Sequence, residues 1–221
     1  MRNIAISILD IESDKLDMFL TKLNDIVKRN RLNNIVIHFD VMDGKFVDSI
    51  GIELDNIKLV KRYGFYVDVH LMVENPDKYI EKAYKLGANN ITIHSEIDDL
   101  DKYIYKLYCL KEISDKFTMG LALNPDSNLD NIIKYNNIID LALVMSVYPG
   151  KGGQKLIEDS LDKIDSLKQI VHYIEVDGGI NELNISKIND LGVNTFVLGS
   201  YFTKNIDNLE ENILSINKLI N

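Results

Sequence analysis

The chain has 221 residues, 46% of them in the hydrophobic set, with one cysteine and a formal net charge of −9. That is enough apolar material for one sizeable core and argues for a single domain over residues 1–221, while the acidic balance argues against bulk nucleic-acid or anionic-membrane binding. Cys109 alone excludes an internal disulfide. With no basic-then-apolar leader, and no apolar run near the ~18 residues of a membrane span, a reducing, cytoplasmic setting is expected.

In chain order, Ile4–Leu9 reads as a first strand carrying Ser7 near its end. Asp14–Arg29 follows as a helix whose Leu16, Phe19, Leu20, Leu23 and Val27 share a stripe. Ile35–Met42 is strand two, Glu53–Arg62 a short helix and Phe65–Met72 strand three. Pro76 suits the first turn of the next helix, which Gly87 stops. Asn90–His94 is strand four, Leu100–Ile113 a helix, Phe117–Leu123 strand five and Leu129–Tyr135 a helix. Ile139–Val147 is strand six, and Glu158–Ile170 an amphipathic helix with Leu161, Ile164 and Leu167 in register. Tyr173–Val176, a helix over Asn184–Leu191, the strand Thr195–Leu198 and a helix from Leu209 to Leu219 complete the series. Eight strand–helix units with short joins, and strand cores that are nearly continuous apolar runs, predict a parallel sheet covered on both sides. An eight-stranded (β/α)8 TIM barrel is the economical closure, and a doubly wound open sheet is the alternative.

Side chains two apart on a strand point the same way, so His38, Asp40 and Met42 project together, as do His70 and Met72. Asp177 is the last polar residue before the pair Gly178-Gly179. Two imidazoles and two carboxylates toward strand ends suit one divalent metal of the Zn, Fe(II), Mn or Co kind. Any one of them alone reads more simply as a turn former or a hydrogen-bonded bystander. Of four histidines, however, His38, His70 and His94 all fall on or at the ends of predicted strands.

Three glycine clusters, Gly150–Gly153, Gly178-Gly179 and Gly199-Ser200, follow predicted strands six, seven and eight. Glycine lets backbone N–H groups approach an anion, and late barrel loops commonly hold phosphate. The plainer reading is tight turns; Lys151 either assists a phosphate or points to water. Met42, Met72 and Met145, near three strand ends, fill the core or form an apolar floor under a small substrate.

These residues together resemble the ribulose-phosphate 3-epimerase family over nearly the whole chain. The matching stretches include Ser7-Ile8-Leu9, His38-Phe39-Asp40-Val41-Met42-Asp43-Gly44, Asp68-Val69-His70-Leu71-Met72 and Ile93-His94-Ser95-Glu96. Val144-Met145-Ser146-Val147, Pro149–Gln154, Glu175-Val176-Asp177-Gly178-Gly179 and Gly199-Ser200 complete the match. The resemblance implies a ribulose-phosphate-binding barrel, assembled as a homo-oligomer (dimer or hexamer), that interconverts D-ribulose 5-phosphate and D-xylulose 5-phosphate. It implies one divalent metal on His38, Asp40, His70 and Asp177, with Asp40 and Asp177 as the acid/base pair. Ser7 would orient the substrate or Asp40, and Gly150, Lys151, Gly152, Gly153, Gly178, Gly179, Gly199 and Ser200 would stand at the phosphate. Met42, Met72 and Met145 would border the reacting carbons, with His70 beside them.

Two departures bear on sugar selectivity. Asp48-Ser49 stand where the family has Pro-Asn, and Lys151 stands where it has Phe. A hexulose phosphate such as D-allulose 6-phosphate is therefore the alternative substrate. A decarboxylase or aldolase would call for a lysine in the strand cores, and strands one to seven offer none. A silent phosphate-sugar sensor would lack a ligand or a carboxylate, and none is lacking.

Overall fold

Why the chain closes into a ring is plainest at β2 (Ile35–Met42), where all eight residues are buried. Its odd-numbered side chains Ile37, Phe39 and Val41 join helix residues such as Phe19 and Leu20 in the outer core. Its even-numbered side chains face the other way, into the barrel. The computed structural model describes residues 2–204 and 206–221. It shows eight parallel strands hydrogen-bonded in sequence order, β8 returning to β1. The other strands are β1 (Asn3–Ser7), β3 (Tyr66–Met72), β4 (Asn90–His94), β5 (Thr118–Leu123), β6 (Leu141–Met145), β7 (Ile174–Asp177) and β8 (Thr195–Leu198). This is the (β/α)8 barrel expected from the sequence, and the open-sheet alternative is excluded by the β1–β8 pairing of Ala5 with Val197.

The helices around it are α1 (Leu16–Asn30), α2 (Ile57–Arg62), α3 (Asp77–Leu86), α4 (Leu100–Ile113), α5 (Asp130–Tyr135), α6 (Ile164–Leu167), α7 (Ile185–Asp190), α8 (Ser200–Thr203) and α9 (Leu209–Ile220). In α1 the buried stripe runs Leu16, Phe19, Leu20, Leu23 and Ile26, with Ile26 taking the place expected for Val27. The segment expected as one helix over 158–170 is instead a 3-10 helix, Glu158–Lys163, leading into the single turn of α6. Leu161, Ile164 and Leu167 lie three apart, a spacing that 3.0 residues per turn satisfies better than 3.6. Glu53–Arg62 divides similarly, with a 3-10 turn at Leu54–Asn56 before α2. α8, one turn long, had no periodicity by which to be seen. No described helix is long and apolar enough to cross a membrane. Cys109, on α4, is half-buried and free.

The strands are covered on both faces, yet the barrel interior is not apolar throughout. Ala5, Val36 and Val197 form one small apolar cluster, and Leu141, Leu143 and Met145 belong to another. On β2, β3, β4 and β7 the buried polar residues His38, Asp40, Asp68, His70, Asn90, Thr92, His94 and Glu175 interrupt the apolar runs. Register sets these side by side: His38 stands opposite Asp68, Asp40 opposite His70, and Met145 opposite Asp177.

Candidate active site

At the C-terminal mouth, four side chains from three strands converge. Ligating atoms of His38 and Asp40 (β2), His70 (β3) and Asp177 (β7) all lie within 4.8 Å of one another. Asp40 Oδ1 is 3.4 Å from both His38 Nε2 and His70 Nδ1. Asp177 Oδ2 is 4.0 Å from His38 Nε2 and 3.9 Å from His70 Nδ1. Those two ring nitrogens are buried with no hydrogen-bond partner among the described residues. A buried polar atom left unpaired costs about 1–3 kcal/mol, so two aimed at one point need an explanation. Two imidazole nitrogens and two carboxylate oxygens make a donor set for a divalent cation, and the residues present fit one.

Each donor is aimed by a neighbour. Ser7 donates its hydroxyl to Asp40 Oδ2 at 2.6 Å. His38 Nδ1 lies 2.6 Å from Asp68 Oδ2, which leaves Nε2 for the cavity. Asn90 donates to Asp68 Oδ1 at 2.6 Å, so that carboxylate is itself held. Asp177 is fixed through its backbone: Ser146 N–H donates to its carbonyl at 2.7 Å, and the Ser146 hydroxyl reaches Gly178 O at 2.6 Å.

Above the cluster lies a cavity of about 600 Å³, counted to its open mouth, that Asp40 and Asp177 line from below. Met42, Met72 and Met145 also line it, and each is at least nine-tenths buried. Ser7 closes one side, and Gly150, Lys151, Gly152, Gly153, Gly178, Gly179, Gly199 and Ser200 form the far rim. Thus Ser7, the three methionines and the glycine-rich rim expected from the sequence line one cavity, whereas His70, expected beside the substrate, does not line it. Gly179 shows why the rim needs glycine: its φ is +65°, and a Cβ there would stand 2.4 Å from Leu156 N. Gly51, on the loop that folds back over β2, is equally constrained, since a Cβ would lie 2.2 Å from Asp40 O.

The chain matches the model of the Ribulose-phosphate 3 epimerase family over residues 3–203. The chain belongs to this family. It is 41% identical over 174 residues to ribulose-phosphate 3-epimerase of Aquifex aeolicus, covering 75% of this chain and 76% of that one. It is 39% identical over 174 residues to the Synechocystis protein of the same name, covering 74% of each. Among solved structures, 3-hexulose-6-phosphate synthase from Salmonella typhimurium superposes with a TM-score of 0.71. That match covers 100% of this chain and 98% of the other at 15% identity, and so reports the fold alone.

Within this epimerase-family site the two carboxylates are electrostatically unlike. Burial pushes Asp40 up, but the charge and hydrogen bond of His38, then the contacts with His70, outweigh it and hold Asp40 far below the usual carboxylate range. Burial, and then the negative charge of Asp40, push Asp177 up to about 7. Burial opposes protonation of His38, yet the carboxylates of Asp40 and Asp68 raise it well above the ordinary histidine value. Burial takes His70 down to about 4.

The sequence reading missed several residues at the site. Asp10 and Gln154 line the cavity, with Asp10's carboxylate beside Gly152. Asp68, Ser146 and Glu175 stand behind the ligands. Glu175 was detectable, lying two residues before Asp177 on the same strand face; Asp10 lies beyond β1 and had no such signal. Asp48 and Ser49 lie off the central cavity, in a shallower groove that Lys151 also borders.

Proposed function

We propose that this chain inverts C3 of a ketose phosphate, interconverting D-ribulose 5-phosphate and D-xylulose 5-phosphate, with Asp40 and Asp177 as the acid/base pair. One observation carries the reading: two carboxylates meet two unpartnered imidazole nitrogens under a glycine-rimmed cavity of about 600 Å³.

The C3 hydrogen is acidic because the C2 carbonyl can take the electron pair. A divalent ion held by His38, Asp40, His70 and Asp177 would supply Lewis-acid stabilisation of the negative charge that develops on the C2 oxygen. Zn, Fe(II), Mn and Co all suit that donor set.

Inversion requires the proton to leave one face and return to the other. Asp40 and Asp177 stand on β2 and β7, separated around the ring by β1 and β8, and so approach C3 from different sides. Asp40, held ionised by His38 and by the Ser7 hydroxyl, takes the proton from C3. The C3–H electron pair becomes the C2–C3 double bond of an enediolate. Asp177, on the other side of the ring, delivers a proton to the opposite face. The carbonyl re-forms and the configuration is reversed; in the other direction the two exchange roles.

The methionines exclude water from C3. The glycine rim, with Ser200, grips the phosphate so that the remote end orients the reacting carbon. The family relation also makes a homo-oligomer the proposed assembly.

The test is a paired assay. Ribulose 5-phosphate and allulose 6-phosphate are offered to protein stripped of metal and reloaded separately with Fe(II), Mn, Co or Zn. The expected result is a higher kcat/KM for the five-carbon sugar. A preference for the six-carbon sugar by about one pKa-unit equivalent of free energy, ~1.4 kcal/mol or tenfold, would overturn the substrate.

A further inference from the structure

Behind His70 stand two residues to which the chemistry above gives no task. His70 Nε2, on the side away from Asp40, is 2.9 Å from His94 Nε2. His94 Nδ1 is 3.0 Å from Glu96 Oε2. Both imidazoles are fully buried, and their rings meet end to end through these nitrogens, with centroids 4.9 Å apart and planes inclined at 28°. The other Glu96 oxygen accepts the N–H of Asn124 at 2.9 Å and the hydroxyl of Ser127. Those residues belong to the loop after β5, and Lys163 grips that loop by donating to the carbonyls of Asn124, Pro125 and Ser127 at 3.0, 2.9 and 2.8 Å.

With both imidazoles neutral, the form a metal-ligating histidine takes, the direction of every hydrogen along this series of bonds follows. The Glu96 carboxylate can only accept, so His94 carries its hydrogen on Nδ1. His94 Nε2 is then the acceptor, and His70 must donate from its own Nε2. That leaves the lone pair of His70 on Nδ1, the atom that faces Asp40 and Asp177. We propose that His94 and Glu96 are positioning residues, a relay that fixes the tautomer and aim of His70 and anchors it to the Asn124–Ser127 loop. The inference rests on the four-ligand reading of the site. It also separates the two histidines: His38 is backed directly by the Asp68 carboxylate, whereas His70 reaches a carboxylate only through a second imidazole.

Glu96→Gln is the decisive variant. Asn124 N–H and Ser127 demand the single amide oxygen, so the amide NH2 turns to His94. That reverses both tautomers and puts a hydrogen on His70 Nδ1. His94→Leu removes the acceptor, while His94→Gln preserves it, because an amide can accept from His70 and donate to Glu96.

Two readouts on the full chain stripped of metal are independent of turnover. Nitrogen-15 shifts of the histidine rings report the tautomer, and competition against a chromophoric chelator reports Zn(II) affinity. The expected results are an Nε2–H tautomer for His70 in the unaltered protein, and its reversal in Glu96→Gln. Zn(II) affinity should fall roughly 10–100-fold in Glu96→Gln and His94→Leu, and return to within a few-fold in His94→Gln. An Nδ1–H tautomer in the unaltered protein overturns the relay whether or not any variant folds. So does unchanged affinity in both Glu96→Gln and His94→Leu. His70→Ala separates the two layers: if it binds Zn(II) as tightly as the unaltered protein, the four-ligand reading has failed; if it alone loses affinity, only the relay has.

Discussion

The two ends of the barrel treat buried polar groups in opposite ways. At the N-terminal end they satisfy one another. Tyr173 and Thr195 share a hydrogen bond at 2.9 Å, Asn3 reaches the same Tyr173 hydroxyl, Thr118 donates to Asn90 Oδ1 at 2.9 Å, and Asn34 donates to Arg2 O at 2.9 Å. At the C-terminal end His38 Nε2 and His70 Nδ1 are just as deeply enclosed, yet point at carboxylates without a hydrogen bond. Glu175 stands between the two ends and is the exception to the closed network: its Oε1 is also buried without a hydrogen-bond partner among the described residues, and burial and the Asp68 charge push its carboxyl up to about 8. A network that closes on itself secures a fold; donors left open at one point are reserved for something bound there. The comparison can be broken from either end.

The largest effect belongs to the mouth. Asp40→Asn and Asp177→Asn should each lower kcat by roughly 10²–10⁴-fold or more, while the circular-dichroism melt still reports a cooperative fold. Near-native turnover in both would remove the distinction between the two ends.

A pH effect comes next, in protein stripped of metal. Asp177 at about 7 and Glu175 at about 8 hold protons that an unfolded chain releases near pH 4. His38, also raised, acts with the same sign. The folded state therefore binds more protons than the unfolded one, and stability should fall as pH rises from about 6.5 to 8.5. His70, lowered to about 4, has the opposite sign, but its contribution is complete by its ordinary value of 6.5. Thermal melts across that window should drop by several degrees, and added Zn(II) should flatten the slope. A flat profile without metal would deny the charge imbalance at the mouth.

The smallest effect lies at the closed end. Tyr173→Phe removes the hydroxyl bonded to Thr195 and Asn3 and should cost about 0.5–1.5 kcal/mol of stability, leaving kcat/KM unchanged. A change in kcat/KM larger than the stability loss would show the two ends to be coupled.

The barrel itself was legible in the sequence because each strand announces itself locally: β2, β4 and β8 have the residues expected of them. Period-two alternation also placed His38, Asp40 and Met42 on one face. What alternation cannot state is which residue of the next strand stands alongside. Asp68 opposite His38, and Ser146 against Gly178, are set by register and closure between segments some thirty residues apart. The same limit left His94 and Glu96 without a task, although His94 was visible as a strand histidine. The 3-10 segment at Glu158–Lys163 was misread for a local reason, an apolar repeat of three that two kinds of helix can present.

The central claim is that the hydrogen leaving C3 and the one returning to it pass through different carboxylates. Its most direct test is a single turnover of ribulose 5-phosphate in deuterium oxide by enzyme equilibrated in that solvent. Xylulose 5-phosphate should carry deuterium at C3, delivered by the exchangeable carboxyl of Asp177. Product that retains the substrate's own C3 hydrogen would contradict the account.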